Sequence, residues 1–234
     1  MHAEIAERRL HPRIIDTDWL ALRDMGPAVE AVADRAVVPG AVVVDFGCGT
    51  QPYRSIFESR GAVYRAADIT GGDISIDAKG HVDAGDASAS LVVSFQVLEH
   101  VRDLDVYFAE VRRILRDDGY LILSTHGTWF YHPHPEDHRR WTRQGLLAEL
   151  EVHGFETQDC IPILGPLAYT TVLRLTIAYH VCKKIPLVGG FFANLLAFVM
   201  NVRGYVEELI TPAEVTKDNA CVYVTLSRRA KISR

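Results

Sequence analysis

The sequence lacks several features that would assign it at once. It has four cysteines in 234 residues (Cys48, Cys160, Cys182 and Cys221) and no C-x-x-C pair, so neither a zinc site nor a redox dithiol is expected. Free thiols in a reducing cytoplasm are the default reading, and the opening MHAEIAERRLHPRIID has no apolar stretch of the kind a secretion signal needs. Basic residues are not in excess: 25 Lys and Arg stand against 30 Asp and Glu, a net charge of -5, which argues against nucleic acid as a partner. No G-K-[ST] follows the glycines of residues 47–49, which excludes a Walker-type phosphate loop. Long apolar runs are also missing. The run IPLVGGFFANLLAFVM is about 16 residues long and contains Gly189-Gly190, short of the roughly 20 that span a bilayer.

The remaining composition is ordinary for a globular protein, with 48% hydrophobic and 24% charged residues. Apolar positions from Trp19 to Ala36 read as one or two helices ending before Pro39-Gly40. AVVVDF (41–46), AVYRAADI (62–69), LVVSF (91–95), YLILSTH (120–126), FETQDCIPI (155–163) and ACVYVTLSR (220–228) read as strands. Between them, helices are expected from Pro52 to about Arg60, over 105–119 with Gly119 as its stop, and over 142–154 with Thr142 as cap and Gly154 as end. Alternation of strand and helix implies a doubly wound, Rossmann-like, mainly parallel α/β sheet of seven strands with helices on both faces. The last two strands could form an antiparallel edge. One domain spans 1–234: N-terminal helices (1–40), a ligand-binding core (41–162), an apolar helical insert (163–215) and a final strand (220–228). Within the insert, residues 163–203 are strongly apolar. They read either as buried or interface helices, including a homodimer contact, or as a peripheral membrane contact or the wall of a lipophilic pocket.

The stretch VVVDFGCGTQPYRS (42–55) carries the chemistry. Glycines after a first parallel strand let a ligand approach the backbone. Asp45, just ahead of them, repels phosphate and favours a cation, and Pro52 removes an N–H that an anion could have used. Asp68 ends the second strand 23 positions after Asp45, where a carboxylate can hold a ribose diol. A ribose without phosphates but with cationic groups describes S-adenosyl-L-methionine.

D45-F-G-C-G-T50, D68-I69, V97-L98-E99-H100-V101 after LVVSF, the helix VRRILRDDG and the strand YLILST together resemble the class I S-adenosylmethionine-dependent methyltransferases, over roughly residues 38–126. The resemblance implies that Asp45, Gly47, Cys48 and Gly49 surround the methionine part of the cofactor. It also implies that Asp68 holds the ribose, that Ile69 lies against the adenine, that Asp77 contacts the adenine amino group, and that Gln96 lines the site. Two positions depart from the family pattern: Gln51 stands where another glycine is common, and Ser90 where an aspartate often opens the strand.

The segment STHGTWFYHPHPEDHRRWT (124–142) supplies candidate bases, His126, His134 and His138, on the strand-end edge where open α/β sheets bind ligands. PHPEDHRRWT also resembles a P-E-D-x-x-R-(aromatic)-T segment of some methyltransferases, which implies a substrate-covering loop. His132-x-His134 with nearby acids shows no third ligand at a fixed spacing, so no metal is expected. No N-P-P-[YF] follows the fourth strand, where Ser94-Phe-Gln-Val97 stands, which disfavours amide or base-nitrogen acceptors. The expected reaction is methyl transfer to an oxygen of a small molecule, lipophilic or glycan- or lipid-linked. The rival readings are a methyltransferase-like binding module and an NAD-dependent oxidoreductase.

Overall fold

The computed structural model describes residues 2–230. Seven strands form one sheet: β1 (Val42–Phe46), β2 (Val63–Asp68), β3 (Ile74–Ser75), β4 (Ala89–Phe95), β5 (Leu115–His126), β6 (Phe155–Ile163) and β7 (Val222–Arg229). Their order is β3-β2-β1-β4-β5-β7-β6. The first five pair in parallel, and β7 runs antiparallel between β5 and β6. The antiparallel edge expected of the last two strands is therefore present.

Side chains alternate across the sheet because successive residues of a strand point to opposite faces. Val43, Leu91, Val93 and Ile122 pack on one side with Leu20, Val29, Phe57 and Val172. Val44, Val92, Leu121 and Leu123 pack on the other with Phe108, Ile114, Leu146 and Phe155. Helices α1 (His2–Leu10), α2 (Trp19–Ala36), α3 (Arg54–Glu58), α4 (Leu104–Ile114), α5 (Arg143–Val152), α6 (Pro166–Lys183), α7 (Gly189–Ile210) and α8 (Ala213–Asp218) complete the chain. The two cores place α2, α3 and α6 on one face and α4 and α5 on the other.

Several boundaries differ from expectation for local reasons. α3 begins at Arg54 with Tyr53 as its N-cap, so Pro52 lies in the turn before the helix and not in its first turn. α4 ends at Ile114, and Gly119 lies inside β5: Leu115 already pairs with Ala89, and a bulge follows before Tyr120 pairs with Leu91. The two-residue β3 had no legible strand pattern. The Thr142 cap is as expected, its hydroxyl accepting the Gly145 N–H at 3.0 Å, and Gly154 closes α5 with φ of 75°.

α6 and α7 form an antiparallel hairpin with an unusual distribution of apolar side chains. The inward face of α7 is small: Ala193, Ala197, Asn201 and Gly204 are buried. A Cβ on Gly204 would lie 2.4 Å from Leu20 Cδ1, so the helix approaches α2 closely only because that position is glycine. Asn201 Nδ2 donates to the carbonyls of Ile14 and Asp16, which ties α7 to the N-terminal segment. The large residues Phe191, Leu195, Phe198, Val202 and Leu209 recur at helical spacing and are exposed. Among the described residues, no helix is long and apolar enough to cross a membrane.

Candidate functional site

The sheet order reverses between β1 and β4, and the loops that leave these strands meet at the carboxyl edge, where open α/β sheets bind ligands. A Cβ on Gly47 would lie 2.7 Å from Val97 Cγ2, so the β1 turn and the β4 exit are in contact. Gly47 and Gly49 take positive φ, and so does Gln51 at 55°. Gln51 thus occupies the left-handed position where glycine is common in this pattern, and its side chain accepts from Arg54 Nη1 at 3.0 Å.

Four amides of this turn are already engaged. The N–H groups of Gly47 and Cys48 both donate to Ala67 O, at 2.8 and 3.1 Å, and that of Gln51 donates to Cys48 O. The Gly49 N–H donates to Asp68 Oδ2 at 2.8 Å. Those four N–H groups are therefore not free to converge on a phosphate as the amides of a dinucleotide turn do.

Each carboxylate singled out from the sequence has a distinct environment. Asp68 ends β2 beside the turn, with Oδ1 making only a 3.3 Å contact to the Thr70 N–H. Asp45 is buried behind the turn and accepts a hydrogen bond from the Tyr64 hydroxyl. Burial pushes its carboxyl up to about 7; the Tyr64 hydrogen bond opposes the rise and the charge of Asp68 adds to it. Asp77 is exposed, and its Oδ1 accepts from the N–H groups of Lys79 and His81. Those backbone bonds, that of His81 first, hold it below the usual carboxylate range. Cys48 is buried, and burial followed by the charges of Asp45 and Asp68 pushes its thiol up to about 12, so it is not a nucleophile. Ile69 is 65% exposed just past β2. Gln96 has φ of 57°, and its Nε2 donates to Ser124 Oγ at 3.1 Å. Its Oε1 is buried without a hydrogen-bond partner, an orphan acceptor at the head of the β1–β4 crevice.

A family model described as a methyltransferase domain matches residues 21–159, more than half of the chain. The chain belongs to the class I S-adenosylmethionine-dependent methyltransferases. Its cofactor is therefore S-adenosyl-L-methionine, and the engaged amides of Gly47, Cys48, Gly49 and Gln51 agree with this. A probable S-adenosylmethionine-dependent methyltransferase of Mycolicibacterium smegmatis is 31% identical over 108 residues, which are 44% of this chain and 40% of that relative. The match thus spans well under half the length of that curated relative. The fold resembles that of Burkholderia thailandensis 1,6-didemethyltoxoflavin-N1-methyltransferase (TM-score 0.55, 15% identity, 98% of this chain and 87% of that one). It also resembles that of the [4+2]-cyclase SpnF (TM-score 0.55, 17% identity, 88% and 80%).

The histidine-rich loop of this methyltransferase, residues 127–141, is held by an Arg–acid cluster. Both Asp137 oxygens accept from Arg140, whose guanidinium also donates to the carbonyls of Trp129 and Phe130. Arg140 holds the Asp137 carboxyl well below the usual carboxylate range. Arg139 donates to the carbonyls of Val101 and Arg102, and the His138 N–H to Glu99 O at 2.8 Å. The loop is thus strapped over the Leu-Glu-His segment.

The three histidines expected as bases are not equivalent in this loop. His126 ends β5 and is buried, its ring stacked on Trp129 with centroids 5.4 Å apart. Burial first, then neighbouring positive groups, lower its pKa well below the ordinary value of 6.5. His134 is exposed, and His138 Nε2 lies 3.0 Å from Glu136 Oε2 at the loop surface. Glu99, not singled out as a site residue from the sequence, is fully buried, and burial pushes its carboxyl up to about 7. Its Oε2 accepts from Thr125 Oγ1 at 2.9 Å, and its Oε1 lies 3.5 Å from His126 Nε2. A glutamate inside a strand-exit motif reads as an exposed turn residue, and only the loop folded over it makes it internal.

Proposed function

We propose that this chain transfers a methyl group to an oxygen of a small-molecule acceptor held at the carboxyl edge between β1 and β4. The observation that supports the cofactor part of this reading is the pairing of Asp68 with a turn in which the Gly47, Cys48, Gly49 and Gln51 amides are already engaged, since that arrangement suits a ribose and a cation better than a phosphate. Asp68 would hold the ribose, Ile69 and Asp77 the adenine, and Asp45, Gly47, Cys48, Gly49 and Gln96 the methionine end. When bound, the cofactor supplies a methyl group on a sulfonium, a good leaving group, so positioning supplies much of the rate.

The chain's own task is to orient the acceptor and accept its proton. Among the three histidines, His126 suits this best, being at the strand end and kept neutral by burial. Calorimetry with S-adenosylhomocysteine tests the cofactor reading. Saturable binding with NAD inert is expected, and absence of binding would leave only a methyltransferase-like binding module.

We further propose that the α6–α7 hairpin rests on a membrane surface and that the acceptor is lipophilic. The outward face of α7 carries Phe191, Phe192, Leu195 and Phe198, and the tip exposes Ile185 and Leu187 beside Lys183 and Lys184. Apolar side chains flanked by lysines suit an anionic interface. Co-sedimentation with anionic vesicles is expected for the wild-type chain and reduced at least tenfold by Leu187→Asp with Phe191→Asp. A stable dimer in sedimentation velocity with no vesicle binding would make the same face a contact between two copies of the chain.

A further inference from the structure

We propose that Glu99, His100 and His132 form a binding site for a divalent transition-metal ion, with zinc the best match to the donor set. His132-x-His134 offers no third ligand along the sequence, but the strapped loop brings one from elsewhere. One ligand atom from each of Glu99, His100 and His132 lies within 4.8 Å of the others. Two imidazoles and one carboxylate are a set that zinc accepts, and three protein ligands leave one position for water or a substrate oxygen.

The groups around these three side chains prepare them for the role. His100 Nδ1 lies 2.7 Å from the Glu136 carbonyl and His132 Nδ1 lies 2.9 Å from that of Phe130. A carbonyl can only accept, so the His100 Nδ1 carries the proton and its Nε2 keeps a lone pair; His132 Nδ1 faces the same kind of acceptor, with the Arg140 guanidinium farther off at 3.3 Å. Metal-binding histidines are commonly oriented in this way. The two rings are 5.0 Å apart and close to perpendicular.

Glu99 is held by Thr125 through Oε2, while its buried Oε1 has no hydrogen-bond partner. That orphan oxygen is what a cation would satisfy. Arg140 lies beside the cluster, its Nη2 3.3 Å from His132 Nδ1, and its charge is met by both oxygens of Asp137. His126 Nε2, 3.5 Å from Glu99 Oε1, borders the open side. The pairwise limit of 4.8 Å exceeds the roughly 3.4 Å edge of a tetrahedral zinc site, so the side chains would close on the ion by about 1 Å.

The site does not depend on the identity of the acceptor, and its test needs no turnover. Chelator-stripped protein is titrated with Co²⁺, followed by its visible ligand-field absorption, and the Co²⁺ is then displaced by Zn²⁺. One saturable equivalent in the micromolar range or tighter is expected. Glu99→Gln and His132→Asn should each weaken binding at least tenfold, while His134→Ala stays within threefold of wild type. Thermal melts check that the variants fold. If Glu99→Gln does not fold, His100→Asn takes its place. Binding only at millimolar Co²⁺, or equal binding by wild type and both ligand variants, overturns the proposal and leaves Glu99 and His126 as a buried pair without an ion.

Discussion

Replacing Asp68 with alanine is expected to weaken S-adenosylhomocysteine binding by roughly 10²- to 10⁴-fold. A ribose diol placed on this carboxylate donates two charge-assisted hydrogen bonds, each worth about 1.5–3 kcal/mol. The acid stands at the end of β2 with one oxygen on the Gly49 N–H at 2.8 Å, so it is oriented before any ligand arrives. Alanine also removes the acceptor for that N–H and could loosen the turn. Asp68→Asn separates the two effects, since its single amide oxygen retains the acceptor for Gly49 while the charge and the second acceptor oxygen are lost. The asparagine variant should lose only about 10- to 100-fold, consistent with one charge-assisted bond, and should melt near wild type. Binding by Asp68→Ala within threefold of wild type would remove the ribose assignment.

The signals read for the candidate cofactor half of the site are local. A β-branched run, a glycine turn and an acid at the next strand end lie within residues 42–68, and strand pairing then sets their positions in space. Gln51 stands where the family pattern commonly has another glycine, and the sequence assigns it no role. Its positive φ supplies one, since it adopts a glycine-like conformation and anchors Arg54. The cluster under the histidine-rich loop was less legible. Glu99 and His132 are far apart in sequence and meet only because Asp137, Arg139 and Arg140 fold residues 127–141 back over the β4 exit. The insert was open between two arrangements. The apolar content of α7 suits a buried helix, but its small residues face inward and its large ones outward, and composition alone cannot distinguish the two arrangements. Likewise, the 105–119 pattern runs on past Ile114 because Leu115 is apolar in either a helix or a strand.

Asp45→Asn should stabilise the ligand-free protein at pH 8 and remove the pH dependence of cofactor binding. The folded carboxyl is raised from its ordinary value of 3.8 to about 7 by burial, while the unfolded one titrates normally. Below about pH 4 both states hold the proton and the group has no effect on stability. Between 4 and 7 the unfolded state has released it and the folded state has not, so stability falls as pH rises. Above 7 the full cost is present, at most on the order of 4 kcal/mol for three units and more realistically about 1–3 once the site relaxes. Asparagine keeps an acceptor for the Tyr64 hydroxyl without the buried charge. Its melting temperature should exceed that of wild type by about 3–10 °C at pH 8 and match it at pH 4. Binding reverses the preference. A cationic ligand near Asp45 favours the ionised form, so wild-type affinity for S-adenosyl-L-methionine should rise through pH 6 to 8, whereas the asparagine variant should bind more weakly with a flat profile. Calorimetry at three pH values on both proteins reads this directly. Parallel profiles for the two would mean that Asp45 serves only the Tyr64 contact and does not sense the ligand.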